Sequence, residues 1–273
     1  MKRMKNLCLV AMATLMLASC GTSQTVPLTG RTHRISVSDE QVLSLSNQEY
    51  TKYMQTAKKS TNKTNTAMVQ RVGKKLAAAV ETYLKQNGFA NDVKNYAWEF
   101  NLVQDKSVNA FCMPGGKIVV YEGLLPVTKN ETGLAIVLGH EIAHAVAKHS
   151  AEQLTKAQNQ QIGTSILGNV LNQAVGSGVG DVASSVAGQY FSFRNLKYSR
   201  DNETEADYMG LIFAAMAGYD PQQAIPFWQR MAQASGGGNQ SDIFSDHPSD
   251  AKRIAALQKA MPTALTYYKG AKK

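Results

Sequence analysis

Cysteine is scarce in this 273-residue chain, which has three. Cys8 lies within an N-terminal leader and Cys20 at its end, so Cys112 would be the only free thiol of the processed chain and no intrachain disulfide could form. That count is compatible with an oxidising compartment. Long charge runs are also missing. The formal charge of +9 falls to +6 if Lys2, Arg3 and Lys5 leave with the leader, and outside the Lys269–Lys273 tail the basic residues are dispersed. Nothing here reads as a nucleic-acid footprint, so no nucleic-acid partner is expected. Apolar runs are short as well. Leu7–Leu17 is too short for a mature span, and the glycine-rich stretch around Gly163–Gly188 is interrupted by Asn169, Asn172 and Gln173.

The leader occupies residues 1–19, with a basic start, an apolar centre and small residues before the end, as in a signal peptide. Its last residues, Leu17-Ala18-Ser19-Cys20, resemble the lipobox of bacterial lipoproteins. That resemblance implies cleavage before Cys20 and lipidation of its sulfur, the alternative being an ordinary secretory peptide with an incidental cysteine. Acyl chains contribute about 0.8 kcal/mol per buried methylene, enough for a multiply acylated Cys20 to hold a domain at a membrane. Gly21, not an acidic residue, follows, which by the sorting rule of enteric bacteria implies the outer membrane, facing the periplasm of the bacterial cell envelope. Residues 20–38, rich in Thr and Ser with Pro27 and Gly30, read as the lipidated cysteine and a flexible tether. A domain is expected over 39–265 and a basic tail over 266–273.

Within that domain, apolar periodicity predicts helices over Asp39–Lys59 and, more strongly, Thr66–Gln86, the second closed by Asn87-Gly88. Between Tyr96 and Tyr121 the period shortens to about two, and a Pro114-Gly115-Gly116 turn separates Ala110-Phe111 from Ile118–Tyr121. A small antiparallel sheet is the economical reading. Its edge either offers backbone hydrogen bonds to an extended peptide or merely roofs the core.

Gly133–Ser150 is the segment that carries chemistry. His140, Glu141 and His144 stand in an otherwise uncharged run, and positions four apart on a helix share a face, so both imidazoles can address one ion with Glu141 alongside. This is the H-E-x-x-H arrangement of zinc metallopeptidases. A third ligand is needed from another helix, and Asp201–Asp207 offers Glu203 and Asp207 on one face. Glu203 is assigned to the metal and Asp207 to the remaining N–H of a ligand histidine. Glu205, turned about 200° from Glu203, is expected to face solvent. His149, about 140° off the ligand face, is expected to favour the helix C-terminus, and His33 in the tether has no evident role. Gly-interrupted helices over 151–200 are expected to cover the site as a lid.

Together, Asn109-Ala-Phe…Pro114-Gly-Gly…Gly123-Leu-Leu, His140-Glu-Ile-Ala-His144, Ser199-Arg-Asp-Asn-Glu203-Thr-Glu-Ala-Asp207, Ala217-Gly-Tyr-Asp-Pro221 and His247-Pro…Arg253-Ile resemble the HtpX-like and Ste-like zinc metallopeptidases (gluzincins), notably their periplasmic lipoprotein type. The resemblance runs from about Asp39 to Met261. It implies an α+β, mainly α-helical zincin-like domain with the small sheet beside the HExxH helix, and one Zn²⁺ per chain on His140, His144 and Glu203. Glu141 would be the general base. His247 would stabilise the tetrahedral intermediate or latch over the metal; read from residues alone it caps a Ser249–Ala260 helix. Arg253 matches the arginine that follows the His-Pro pair. Cys112 stands where related sequences carry a small residue, and is either packing or an adventitious ligand. The implied activity is endopeptidase cleavage of unfolded or misfolded envelope proteins, in contact with the outer-membrane assembly machinery. The reading from a different class is a lipid-anchored, chaperone-like binding protein with structural or latched zinc.

Overall fold

The computed structural model describes residues 22–160, 192–194, 196–235 and 251–271. The leader with Cys20, most of the expected lid and His247 lie outside them. The described residues open with a hairpin within the stretch expected to be a flexible tether. Strands β1 (Thr22–Thr25) and β2 (Thr32–Ile35) pair antiparallel, with Thr22 opposite Ile35. The turn closes through Val26 N–H to the Arg31 carbonyl at 2.8 Å, with Leu28 and Gly30 at positive φ. Val26, Ile35, Val37 and His33 are buried. Polar side chains disguise the strand: in Thr-His-Arg-Ile, His33 and Ile35 point inward while Thr32 and Arg34 stay exposed, the period-two pattern of a half-buried strand.

Helix α1 (Asp39–Thr56) opens on a capping box between Ser38 and Gln41, and α2 (Lys63–Gln86) opens on Asn62, whose side chain accepts from the Asn65 N–H. The α2 stripe Val69, Val72, Leu76, Val80 and Leu84 is fully buried in the main core. Strands β3 (Glu99–Val103), β4 (Ala110–Met113) and β5 (Lys117–Tyr121) form the sheet beside the site, in the order β3-β5-β4. It is mixed, which corrects the antiparallel expectation in one respect: β4 and β5 are an antiparallel hairpin, but β3 runs parallel to β5. The chain leaves β3, passes the end of the sheet and makes β4 first, so β4 is itself part of the crossover that parallel pairing requires. Hydrogen bonds from Gly123 N–H to the Asp105 carbonyl and from Tyr121 N–H to the Asn109 carbonyl fix that passage.

Helix α3 (Glu131–Val146) is capped by Asn130 and buried along nearly its whole length, as its uncharged sequence requires. It ends where Lys148 adopts φ 54°, and α4 starts again at 149, helical to 160. Helix α5 (Arg200–Met216) opens on a second capping box, Ser199 with Asn202. Helices α6 (Ala224–Ser235) and α7 (Ala251–Ala271) complete the core. The expected tail is thus mostly helix: α7 continues through Pro262, and Tyr267 and Tyr268 pack against the main core. Among the described residues no helix is long and apolar enough to cross a membrane.

Helices α3 and α5 meet backbone to backbone. A β-carbon on Gly139 would lie 2.6 Å from the Gly210 carbonyl oxygen, and one on Gly210 would lie 2.6 Å from the His140 nitrogen. Only glycine at both positions permits this approach, which sets the distance between the motif on α3 and the acidic face of α5.

Candidate metal centre

His140 and His144 project from α3 toward Glu203 on α5, and all three are buried. His140 Nε2 and His144 Nε2 are 3.1 Å apart, with Glu203 oxygens 3.4 Å from the first and 3.3 Å from the second. Bonds of about 2.0–2.1 Å in a tetrahedron give donor separations of about 3.3–3.4 Å. The two nitrogens have that spacing and the two Glu203 oxygens straddle them, Oε2 beside His140 and Oε1 beside His144, so that one donor atom from each residue lies within 4.8 Å of the others. Among the described residues this is the group of His, Cys, Asp and Glu whose donor atoms lie close enough for one ion.

The outer contacts decide which ring nitrogen faces inward. Asp207 Oδ1 lies 2.9 Å from His140 Nδ1. A carboxylate only accepts, so with respect to Asp207, which is nearer to Nδ1 than Arg253 Nη2 at 3.1 Å, His140 donates from Nδ1 and turns Nε2 toward Glu203. His144 Nδ1 is 2.8 Å from His149 Nδ1, and His149 Nε2 is 2.9 Å from Glu205 Oε2. Glu205 accepts from His149 Nε2–H, which leaves His149 Nδ1 to accept from His144 Nδ1–H. His144 Nε2 is then also an unprotonated acceptor nitrogen. Burial lowers both His149 and, further, His144, in keeping with neutral rings. Two imidazole nitrogens and a carboxylate converging from two helices are the donor types that zinc takes, so the set fits zinc, with Arg253 Nη2 also 3.4 Å from His140 Nε2 and 3.5 Å from Glu203 Oε2. Burial and Arg253 oppose charge on His140, but Asp207 and Glu203 outweigh them and raise it to about 9, so a proton and a cation compete for the same Nε2.

Asp207 also receives Arg253 Nη2 at 2.6 Å. The Arg253 guanidinium lies 3.5 Å from the centroid of the Trp228 ring, and that ring meets His140 edge-on. Tyr198 stacks on His144 at 4.0 Å and shares a hydrogen bond with Ser150. Glu141 is buried at 3 % exposure. Burial and then the Glu141 charge push the Cys112 thiol well above its ordinary value; Cys112 is not in the donor cluster.

Three assignments change. His149 does not serve the helix end: the left-handed Lys148 breaks α3, so the angle expected of a continuous helix no longer applies and the ring swings back onto His144. Glu205 does not face solvent, because the far side of α5 is covered by the N-terminal hairpin. It accepts from Thr29 Oγ1 at 2.6 Å and Arg31 Nε at 2.7 Å. Burial would raise the Glu205 carboxyl, yet the His149, Arg31 and Thr29 bonds hold it at about 2. His33, expected to have no role, contacts Glu152 at 3.2 Å. Tyr198 and Trp228 went unnoticed in the sequence because a lone aromatic carries no positional signal.

Two imidazoles one helical turn apart, closed by a carboxylate from a crossing helix, define the metallopeptidase class that uses glutamate as its third protein ligand. The chain belongs to peptidase family M48, which matches residues 63–261. It is 38 % identical over 193 residues to the mitochondrial metalloendopeptidase OMA1 of Schizosaccharomyces pombe, covering 68 % of this chain and 53 % of the relative. It is 29 % identical over 248 residues to the mitochondrial metalloendopeptidase OMA1 of Homo sapiens, covering 88 % and 46 %. To the beta-barrel assembly-enhancing protease of Yersinia pestis it is 31 % identical over 186 residues, covering 64 % and 38 %. The chain spans about half or less of the length of these curated relatives.

Proposed function

We propose that this chain is a zinc-dependent endopeptidase, held at the bacterial envelope by a lipid on Cys20, that hydrolyses peptide bonds of misfolded or misassembled envelope proteins. The observation that carries the catalytic reading is the convergence of His140 Nε2, His144 Nε2 and Glu203 at 3.1 to 3.4 Å. These three residues would hold one zinc ion, which when bound supplies Lewis acidity to the scissile carbonyl and to water. Glu141, adjacent to His140 and buried, accepts the proton of the attacking water and delivers it to the leaving amine. Asp207 keeps His140 in the tautomer that ligates, and Arg253 holds Asp207. His247 is assigned to the oxyanion or to a latch by resemblance alone.

The envelope setting rests on other support. The residues Leu17-Ala18-Ser19-Cys20 resemble a lipobox, and the Yersinia pestis relative is named for β-barrel assembly. The periplasmic lipoprotein type is therefore preferred to the mitochondrial setting of the OMA1 relatives, and the outer-membrane assembly machinery is the partner to test. Glu141→Gln should leave folding and zinc content intact and abolish cleavage of an unfolded protein. Retained cleavage removes Glu141 from the role; a zinc-loaded wild type that binds the unfolded protein without cutting it favours the chaperone-like reading. Cys20→Ala should release the chain from the membrane fraction.

A further inference from the structure

We propose that the N-terminal hairpin is part of the metal site: Thr29 and Arg31 hold Glu205, Glu205 holds His149, and His149 orients the ligand His144. His149, Glu205 and Arg31 are then positioning residues. This rests on the metal reading above, and the hairpin lies outside the span that the family matches.

The two imidazoles are supported unequally. At Nδ1, the side turned from Glu203, His140 donates directly to a carboxylate, whereas His144 is linked to one through a second imidazole. A carboxylate aligned by one arginine and one hydroxyl fixes the His149 tautomer, and His149, wholly buried, can offer His144 only an acceptor. Without that acceptor His144 could rotate or exchange tautomers, and its Nε2 would no longer be held as a lone pair. Arg31 does more than close the chain. Its Nη2 also reaches Glu152 on α4 at 3.0 Å, and Glu152 contacts His33 of β2, so the hairpin is pinned on both sides of the relay. Every link joins a different element: the hairpin turn, α5, the start of α4 and α3. If the network merely glued the hairpin down, its loss would lower stability and leave the metal unaffected.

The test uses the full chain in detergent. Zinc affinity is measured by competition with a chromophoric chelator, the cobalt(II) form by its visible absorption, and thermal stability on the chelator-treated protein. His149→Ala and Arg31→Ala should weaken zinc binding, the former about 10- to 100-fold, and alter the cobalt spectrum. His149→Asn, whose amide oxygen can take the place of the ring Nδ1 as acceptor, should recover most of the affinity, and Arg31→Lys should recover part. If His149→Ala does not fold, His149→Asn against His149→Leu and the Arg31 pair carry the comparison. Zinc affinity and cobalt spectrum unchanged in both truncations, with only the thermal midpoint lowered, would overturn the proposal, as would failure of His149→Asn to recover affinity. A wild type that binds no zinc refutes the metal reading itself, a separate result.

Discussion

Gly210→Ala tests whether the crossing of α3 and α5 sets the metal geometry. Helix propensity alone favours alanine by about 1 kcal/mol, so an unconstrained site would be stabilised. Here the new β-carbon would lie 2.6 Å from the His140 nitrogen and 2.7 Å from the Gly139 carbonyl carbon and His140 Cα, all backbone atoms that cannot swing away as a side chain would. Ordinary contact begins near 3.4 Å, so the helices must separate by about 0.8 Å or tilt. Overpacking of this kind costs about 1–3 kcal/mol, and contact with rigid backbone puts the cost at the upper end, for a net loss of about 2 kcal/mol. That corresponds to a thermal midpoint lower by about 4–8 °C. The same shift moves Glu203 away from His140 and His144, several times the tolerance of about 0.2 Å on zinc bonds, so zinc affinity should fall about 100-fold or more. Calorimetry and chelator competition on the purified variant read both effects. Equal or higher stability with undiminished zinc affinity would show that the helices are not in backbone contact and would refute the reasoning.

Other substitutions probe the walls of the site. Glu203→Gln should reduce zinc below one equivalent after dialysis, and an unchanged stoichiometry by elemental analysis would point to a different third ligand. Arg253→Lys keeps the charge but loses the flat guanidinium over Trp228, worth about 0.5–2 kcal/mol, so it should lower the thermal midpoint although net charge is conserved. Glu152 governs an acid limb of stability. The His33 contact first, and then Lys156 and Arg31, outweigh burial and hold its carboxyl well below the ordinary value of 4.5, with Asn202 of α5 the remaining neighbour. Because the unfolded chain takes up the proton first, this stabilisation is complete above about pH 5 and is lost as the pH falls toward the depressed folded value. Thermal midpoints from pH 6 to pH 3 should decline less steeply in Glu152→Gln than in the wild type, and parallel curves would exclude the assignment.

The parts of the site that were legible in the sequence are those fixed within a single helix. His140 and His144, and likewise Glu203 and Asp207, stand four apart, and a helix of either composition puts each pair on one face whatever surrounds it. What was not legible depends on events between elements. The left-handed Lys148 interrupts a pattern that reads as continuous helix, and nothing in the letters around it marks the break. Glu205 looked exposed because its face of α5 is opposite the metal, yet that face is covered by Thr29 and Arg31, some 174 positions earlier in the chain. The hairpin itself resembled a tether because its inward residues include His33, a polar side chain whose partner, Glu152, lies 119 positions later. Strand alternation revealed three strands beside α3, but alternation is blind to order, and so the parallel pairing of β3 with β5 appeared only in three dimensions.

Charge balance around the site leads to a final expectation. Glu141, Glu203 and Asp207 are buried on the two facing helices, and the Arg253 guanidinium meets Glu203 and Asp207. With neutral imidazoles these four side chains sum to −2, and gathering like charges in a buried setting costs several kcal/mol. A proton on His140 removes one of these charges, whereas a divalent cation removes both and satisfies the lone pairs as well. The ion should therefore act as part of the folded structure. At a free concentration 1,000 times its dissociation constant it would add about 4 kcal/mol, or roughly 10 °C in thermal midpoint, and chelation should withdraw that increment. Readdition of zinc, but not of a monovalent salt at equal ionic strength, should restore it. A midpoint indifferent to chelator would mean that the buried carboxylates are balanced by protein groups alone and that the cluster is no metal centre.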